Sequence, residues 1–166
     1  HAANVHLQLV DSVQKRFPRN INLISFEALH QINLAALSCR RDIANLGIIF
    51  RAVTKRGPHH LRSLFKLSGS ALRSSPRRPS HRFQVIDATR VLCRDYLDRS
   101  TFGYVVVFNL LPECVFHSED DAVFPISVSS FQSNLTSLLK SASNHELEWE
   151  SLFSPRSTIF DNALRR

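Results

Sequence analysis

The chain has 166 residues, 43% of them hydrophobic, and a formal net charge of +7. This composition excludes a disordered chain and allows one domain with a sizeable core. Residues 1–82 carry fourteen Lys and Arg against three Asp and Glu, a net charge of +11, whereas residues 83–166 carry seven against eleven, a net charge of −4. The basic half points to a polyanionic partner, and a basic surface that meets only solvent accounts for the charge equally well.

The cysteine content and the absence of methionine indicate the origin and the cellular location of the chain. Because it starts at His1 and lacks methionine, we expect a fragment or a processed product. Cys39, Cys93 and Cys114 are odd in number and widely spaced, which favours reduced thiols in an intracellular protein, nuclear or cytoplasmic, over a disulfide framework. The sequence shows no signal peptide and no long apolar span, so we expect neither secretion nor a membrane partner.

Helical periodicity runs through the first part of the chain. Residues 5–17 predict a helix with one apolar stripe, and Pro18 and Asn20 are expected to end it. Ser25 is expected to cap a short second helix over residues 26–32. The stripe of the first helix consists of Val5, Leu9, Val10, Val13 and Phe17.

A long amphipathic helix is predicted over Ser38–Lys55, and we expect the rest of the chain to be organised around it. Ser38 is the expected N-cap, and Gly57 before Pro58 is the expected stop. A short helix is predicted over residues 59–67. The apolar face of the long helix holds Ile43, Leu46, Ile49, Phe50 and Val53, and its opposite face holds Arg41, Asn45, Arg51 and Lys55.

The second half of the chain is harder to assign. Residues 101–116 are the most apolar run; three consecutive valines favour a strand, and a buried helix ending near Asn109 fits equally well. A last helix is predicted over residues 127–142 with Ser127 as its cap, and apolar tail residues are expected to dock on the core. We divide the chain into a basic helical segment (1–67), a flexible loop rich in Ser, Pro and Arg (68–82), an apolar block with a closing helix (83–142) and a tail (143–166).

Together these segments predict a mainly α fold. We expect an irregular multi-helix domain around the long central helix, with one or two short strands possible, the first over residues 82–86. No internal repeat is evident.

Five segments resemble a known family when they are taken in order. They are LVDSVQKRF (9–17), SFEALHQINLAALSCRRDIANLGIIFRAV (25–53), GPHHLRSLF (57–65), RSTFGYVVVFNLLPECV (99–115) and SVSSFQSNL (127–135). Their order and spacing resemble the region that follows the polymerase domain in reverse transcriptases of non-LTR (LINE-type) retrotransposons. Phe108 stands where that family has Trp, Gln132 stands where it has a basic residue, and the tail after Ala142 has no counterpart there.

The resemblance implies that the parent protein is an RNA-directed DNA polymerase. It also implies that this chain is a non-catalytic C-terminal segment, which supports the binding of template RNA or target DNA and has the polymerase domain of its own parent as a partner. Two alternatives stay open. One is a structural or protein-interaction helical module with no nucleic-acid role, and the other is a decayed retroelement fragment.

The sequence offers little for catalysis or metal binding. Asp120 and Asp121 lack the aromatic residue and the strand–turn–strand context of a polymerase metal site. Cys114 and His117 have zinc-ligand spacing, but the remaining candidates are distant and unpaired, which favours buried thiols over a zinc site. Those remaining candidates are Cys39, Cys93 and His81. We therefore predict no catalytic residue, no metal and no cofactor in this chain.

The best functional candidates are basic side chains on the central helix, on the helix after it and in the loop. Guanidinium groups pair with phosphates through two hydrogen bonds, and such contacts require no sequence motif. The predicted nucleic-acid-binding residues are Arg40, Arg41, Arg51, Lys55, Arg56, Arg62, Arg77 and Arg78.

Overall fold

The long helix α3 (Leu37–Val53) lies at the centre of the fold. The computed structural model describes residues 2–67, 83–85, 100–117, 126–144 and 149–154. The other α-helices in those ranges are α1 (Ala2–Asn20), α2 (Ser25–Gln31), α4 (His59–Leu64), α5 (Tyr104–Leu110) and α6 (Val128–Asn144), and 3-10 helices cover Glu113–Phe116 and Trp149–Ser151. The predicted mainly α class with a long central helix is confirmed.

Extended pairing is limited to one contact in the described residues, an isolated antiparallel bridge between Leu67 and Val85. The described ranges contain no strand. Several predictions fall outside these ranges: the 68–82 loop, the residues Asp120 and Asp121, and the tail beyond residue 154.

The apolar face predicted for α3 forms the middle of the core. Its five members are all buried, and Leu46, Ile49 and Phe50 have no solvent exposure. The Phe50 ring stacks on Phe131 of α6, with centroids 4.3 Å apart and planes 4° from parallel. Gly47 allows a close approach at the same crossing, because a Cβ there would lie 2.7 Å from Nε2 of Gln132.

The ends of α3 differ from the prediction. The N-cap is Ala36, which makes no side-chain capping bond, so Ser38 is wrong as a cap. Lys55, rather than Gly57, adopts the left-handed conformation, with φ of 61°. The backbone N–H groups of Arg56 and Gly57 then both donate to the carbonyl of Arg51, and these bonds satisfy the helix end two residues early.

The apolar run in the second half is helical. Tyr104, Val105, Val107 and Phe108 of α5 are buried, whereas Val106 is exposed, a pattern with the period of a helix and not of a strand. Packing against α3 therefore outweighs the strand propensity of the three valines. The bonds of Asn109 then hold the extended residue Val85: its side chain accepts from the Val85 N–H at 2.8 Å and donates to the Val85 carbonyl at 2.9 Å.

The closing elements agree with the sequence. The Ser127 hydroxyl accepts from the Ser130 N–H at 2.9 Å, which confirms the predicted cap of α6. Leu152 and Phe153 of the tail are buried, as the docking prediction required. At the other end of the chain, α1 ends at Asn20, within the predicted end at Pro18 and Asn20; Pro18 lies buried in the last turn, where only one backbone hydrogen bond is lost.

Adjacent isoleucines on α3 test how stability depends on burial, because Ile49 is fully buried and Ile48 is 37% exposed. Ile49→Ala should lower the free energy of unfolding by about 2–5 kcal/mol, the usual cost of emptying a core site. Ile48→Ala, the matched control, should cost about 1 kcal/mol or less. Urea denaturation followed by circular dichroism measures both, and equal losses would contradict the position assigned to α3.

Candidate functional site

A segment without acidic residues supplies most of the basic side chains of interest. Between Asp42 and Asp87 the sequence contains nine Lys and Arg and no Asp or Glu. The described part of this segment covers most of α3, the turn after it and α4. This interval therefore has no carboxylate of its own to offset its basic groups.

The C-terminal end of α3 and one side of α4 enclose a shallow depression of about 410 Å³. The left-handed turn at Lys55 reverses the chain, and α4 begins four residues later. His59, Arg62 and Ser63 then share one side of α4, because they are three and four residues apart. We call this surface the basic depression; its lining is Lys55, His59, Arg62 and Ser63 over a floor of Ala52, Val53, Phe65 and Leu67.

Arg62 has an unpaired donor in the basic depression. Its Nε atom is buried and has no hydrogen-bond partner among the described residues. A buried guanidinium N–H that lacks an acceptor costs about 1–3 kcal/mol. Phosphate oxygens suit a guanidinium particularly well, since the resulting bonds are charge-assisted. Ser63 contributes a hydroxyl, which donates to the His60 carbonyl at 2.8 Å.

The other predicted residues are spread over the molecule. Arg51 is exposed in the last turn of α3, close in sequence to the basic depression, whereas Arg40 is exposed at the opposite end of the same helix. Arg56 donates from Nη1 to the Ile126 carbonyl at 2.5 Å and so links the end of α3 to the start of α6. Arg77 and Arg78 lie outside the described residues.

Arg41 is engaged within the fold. Its Nη1 and Nη2 donate to Oδ1 and Oδ2 of Asp11 at 2.7 and 3.0 Å, which ties α3 to α1. The hydrogen bonds from Arg41 hold the pKa of Asp11 below its usual 3.8. The pair uses the two-pronged geometry that a phosphate would need. Asp11 is thirty residues away in the sequence, so no local pattern predicted this pairing.

A second polar pair, also not predicted, is buried beside the first. The Tyr104 hydroxyl donates to Oδ1 of Asp42 at 2.6 Å, and Asp42 is only 8% exposed. Burial raises the pKa of Asp42 above its usual 3.8, and burial also raises the pKa of Tyr104. The largest cause of both shifts is desolvation of the charged form, so we assign the pair a role in the packing of the core.

The described residues hold no group of three or more His, Cys, Asp and Glu side chains that could bind a metal. The exposed Cys114 is near His117, whose Nε2 lies 3.2 Å from a carboxylate oxygen of Glu113. Burial, and then the nearby Asp42 carboxylate, raise the pKa of Cys39 from 9.0 to about 12, which leaves this thiol unreactive. The other residues weighed for metal binding, Cys93, His81, Asp120 and Asp121, lie outside the described ranges.

Comparison of the chain with protein-family models, curated proteins and solved structures finds no match. None of the described helices combines the length and the apolar character needed to cross a membrane. Three features of the site escaped the sequence analysis: the position of Ser63 in the basic depression, the unpaired Nε of Arg62 and the pairing of Arg41. The acid-free interval between Asp42 and Asp87 is a sequence signal that could have pointed to the depression.

Tyr104→Phe should destabilise the protein by about 1–3 kcal/mol near neutral pH, because the buried Asp42 carboxylate loses its donor. The pKa of Asp42 is raised in the folded state, so the folded state binds the proton more readily, and its stability falls as the pH rises above 3.8. Loss of the tyrosine donor raises this pKa further. The deficit of the variant should therefore shrink as the pH falls toward 3.8, which urea denaturation over a pH series measures.

Asp42→Asn is the matched control, since an amide oxygen can still accept from Tyr104 and carries no charge. In this background the cost of Tyr104→Phe should no longer vary with pH. If the stability cost of Tyr104→Phe does not vary with pH in the protein that keeps Asp42, the assigned pair is contradicted.

Proposed function

We propose that this chain is the non-catalytic, post-polymerase segment of a reverse transcriptase of the non-LTR retrotransposon type, and that it binds RNA or DNA at the basic depression. The observation that carries the binding proposal is the convergence of Lys55, His59 and Arg62 around one concave surface, with the Arg62 Nε buried and unpaired. The parentage rests on the ordered resemblance of five segments. An intracellular setting and contact with the polymerase domain of the same parent belong to this proposal.

The chemistry of the basic depression favours phosphates over bases. Lys55 and Arg62 carry positive charge, and the basic side chains of the depression donate hydrogen bonds, as backbone contacts require. The aromatic residue of its floor, Phe65, is only 5% exposed and offers no face on which a base could stack. Leu67 adds apolar surface without hydrogen-bonding groups. We therefore propose binding that depends on salt and not on base sequence.

Neighbouring cations extend the proposed surface. Arg51 lies one turn before Lys55, and Lys66 follows α4; both are exposed. A nucleic-acid strand that crosses the basic depression can meet these charges in succession, because phosphates recur along its backbone. Each added phosphate contact releases counterions and steepens the dependence of affinity on salt.

Single charge removals test the proposal on the full chain. Lys55→Gln and Arg62→Gln should each weaken binding to a labelled RNA or DNA oligonucleotide about five- to tenfold at ~0.1 M salt. Each should also lower the slope of log affinity against log salt by about one unit. Fluorescence anisotropy over a salt series measures both quantities.

The matched control is Lys140→Gln on α6, which removes the same charge elsewhere in the chain. Its affinity and salt slope should stay close to those of the wild type. Equal losses of affinity in all three variants would mean that net charge alone governs binding, and they would contradict a defined binding surface. Absence of any salt-dependent binding by the wild type at low ionic strength would overturn the function itself.

A further inference from the structure

A partly enclosed cavity of about 310 Å³ lies between α1, α2, the start of α3 and the 3-10 helix Trp149–Ser151. Backbone hydrogen bonds hold the two turns that border it. The Leu23 N–H donates to the Pro18 carbonyl at 2.8 Å after α1. The Leu34 N–H donates to the Ala28 carbonyl at 2.9 Å after α2. The volume equals that of about ten water molecules and lies at the small end of the range of ligand pockets.

Most of the cavity lining is apolar. Pro18 and Ala28 are buried, whereas Leu23, Leu34 and Leu37 are only partly buried in the folded chain. Partly buried leucines around a concave surface have apolar area left to cover, and a ligand with an apolar body covers it. The apolar lining is completed by Ile24 and Ala36.

Helix α1 turns its polar side to this cavity. Asp11, Lys15 and Arg19 line the cavity, and their spacing of four residues places them on one side of the helix. Val10 and Val13 lie on the other side of α1, where each is more than half exposed. The charged side chains of α1 that face the cavity are therefore distinct from its exposed apolar residues.

The charges of the lining favour one class of ligand. Asp11 is engaged, because Arg41 donates two hydrogen bonds to its carboxylate. The other charged residues of the lining are Lys15, Arg19 and Glu150. Two cations against one carboxylate leave an excess of one positive charge, which a monoanion neutralises and a doubly charged phosphate group exceeds. The start of α3, which has no side-chain cap, also borders the cavity, and the N-terminal end of a helix favours anions.

We propose that this cavity binds a small monocarboxylate with an apolar body. The carboxylate pairs with Lys15 and Arg19, and the apolar body lies against Leu23, Leu34 and Leu37. Octanoate, with about ten non-hydrogen atoms, has a size that suits the cavity. The basic depression lies at the opposite end of α3, so this inference is independent of the proposed nucleic-acid binding.

Isothermal titration calorimetry of the full chain with octanoate tests the ligand class. Octanoate should bind at one site with a Kd below about 1 mM. Octylammonium and octanol carry the same apolar body with the opposite charge or none, and each should bind at least about tenfold more weakly. Hexanoate should bind about four- to tenfold more weakly than octanoate, because it buries fewer methylene groups.

Variants of α1 test the site of the carboxylate. Lys15→Gln/Arg19→Gln should weaken octanoate binding at least about tenfold and change octanol binding less than about twofold, because octanol has no charge to lose. Arg16→Gln is the matched control, since Arg16 is an exposed cation of the same helix that does not line the cavity. Its affinity for octanoate should equal that of the wild type.

Ala28→Leu tests the site of the apolar body. Ala28 is 1% exposed and lines the cavity, so a larger side chain there should weaken octanoate and octanol alike, each by about tenfold. Urea denaturation establishes whether this variant folds. Lys15 and Arg19 are exposed, so the test with their double variant holds even if Ala28→Leu does not fold.

Four results would overturn the inference. They are no saturable binding of octanoate up to about 10 mM, equal affinity for octanoate and octylammonium, equal loss of affinity in Arg16→Gln, and unchanged affinity in Lys15→Gln/Arg19→Gln. If Val10→Gln/Val13→Gln alone weakens binding, octanoate binds to the exposed side of α1 and the cavity is not its site.

A crossed measurement separates this inference from the proposed function. Lys55→Gln/Arg62→Gln should weaken nucleic-acid binding and leave octanoate binding unchanged, because both residues line the basic depression and neither lines the cavity. A loss of octanoate binding in this variant would place the octanoate site at the basic depression and overturn the inference. Failure of nucleic-acid binding in the wild type would leave the octanoate result intact.

Discussion

The contact between Phe50 and Phe131 is the constraint on which the fold depends. Two parallel rings 4.3 Å apart bring α3 and α6 together, and both rings also lie within about 6 Å of Phe116. Phe108 of α5 meets the same group edge-on, with its centroid 5.6 Å from that of Phe116. Gly47 permits the crossing at this point. Helices α3, α5 and α6 and the 3-10 helix Glu113–Phe116 therefore share one aromatic centre.

The position of the basic depression follows from this centre through a short series of contacts. Phe83 extends the aromatic group, and two residues later Val85 is held by the side chain of Asn109. Val85 bridges to Leu67 at the edge of the depression, and Phe65 stacks on Phe102 with centroids 5.3 Å apart. The segment that follows α4 is thus anchored at two residues, Phe65 and Leu67. The basic groups of α4 are held on a rigid support, which favours a defined surface.

The ion pair of Arg41 and Asp11 affects both a basic surface on α3 and an apolar surface on α1. Asp11 neutralises one cation on the basic side of α3, and the ion pair fixes the orientation of α1. The partly exposed pair itself contributes about 1 kcal/mol or less to stability. Its structural effect is larger than its energy, because the rotation of α1 determines whether Val13 faces the core or solvent. The basic depression and the exposed apolar residues of α1 thereby occur on different elements.

Local sequence patterns determined the helices, because the period of apolar residues and the capping chemistry act over one or two turns. The buried stripe of α3 and the Ser127 cap of α6 were predictable for that reason. The tertiary structure alone decided whether the run around Val106 is helix or strand, that Arg41 pairs with Asp11, and that α1 turns its apolar face outward. These outcomes depend on partners thirty or more residues away, and periodicity carries no information about which helix another will meet.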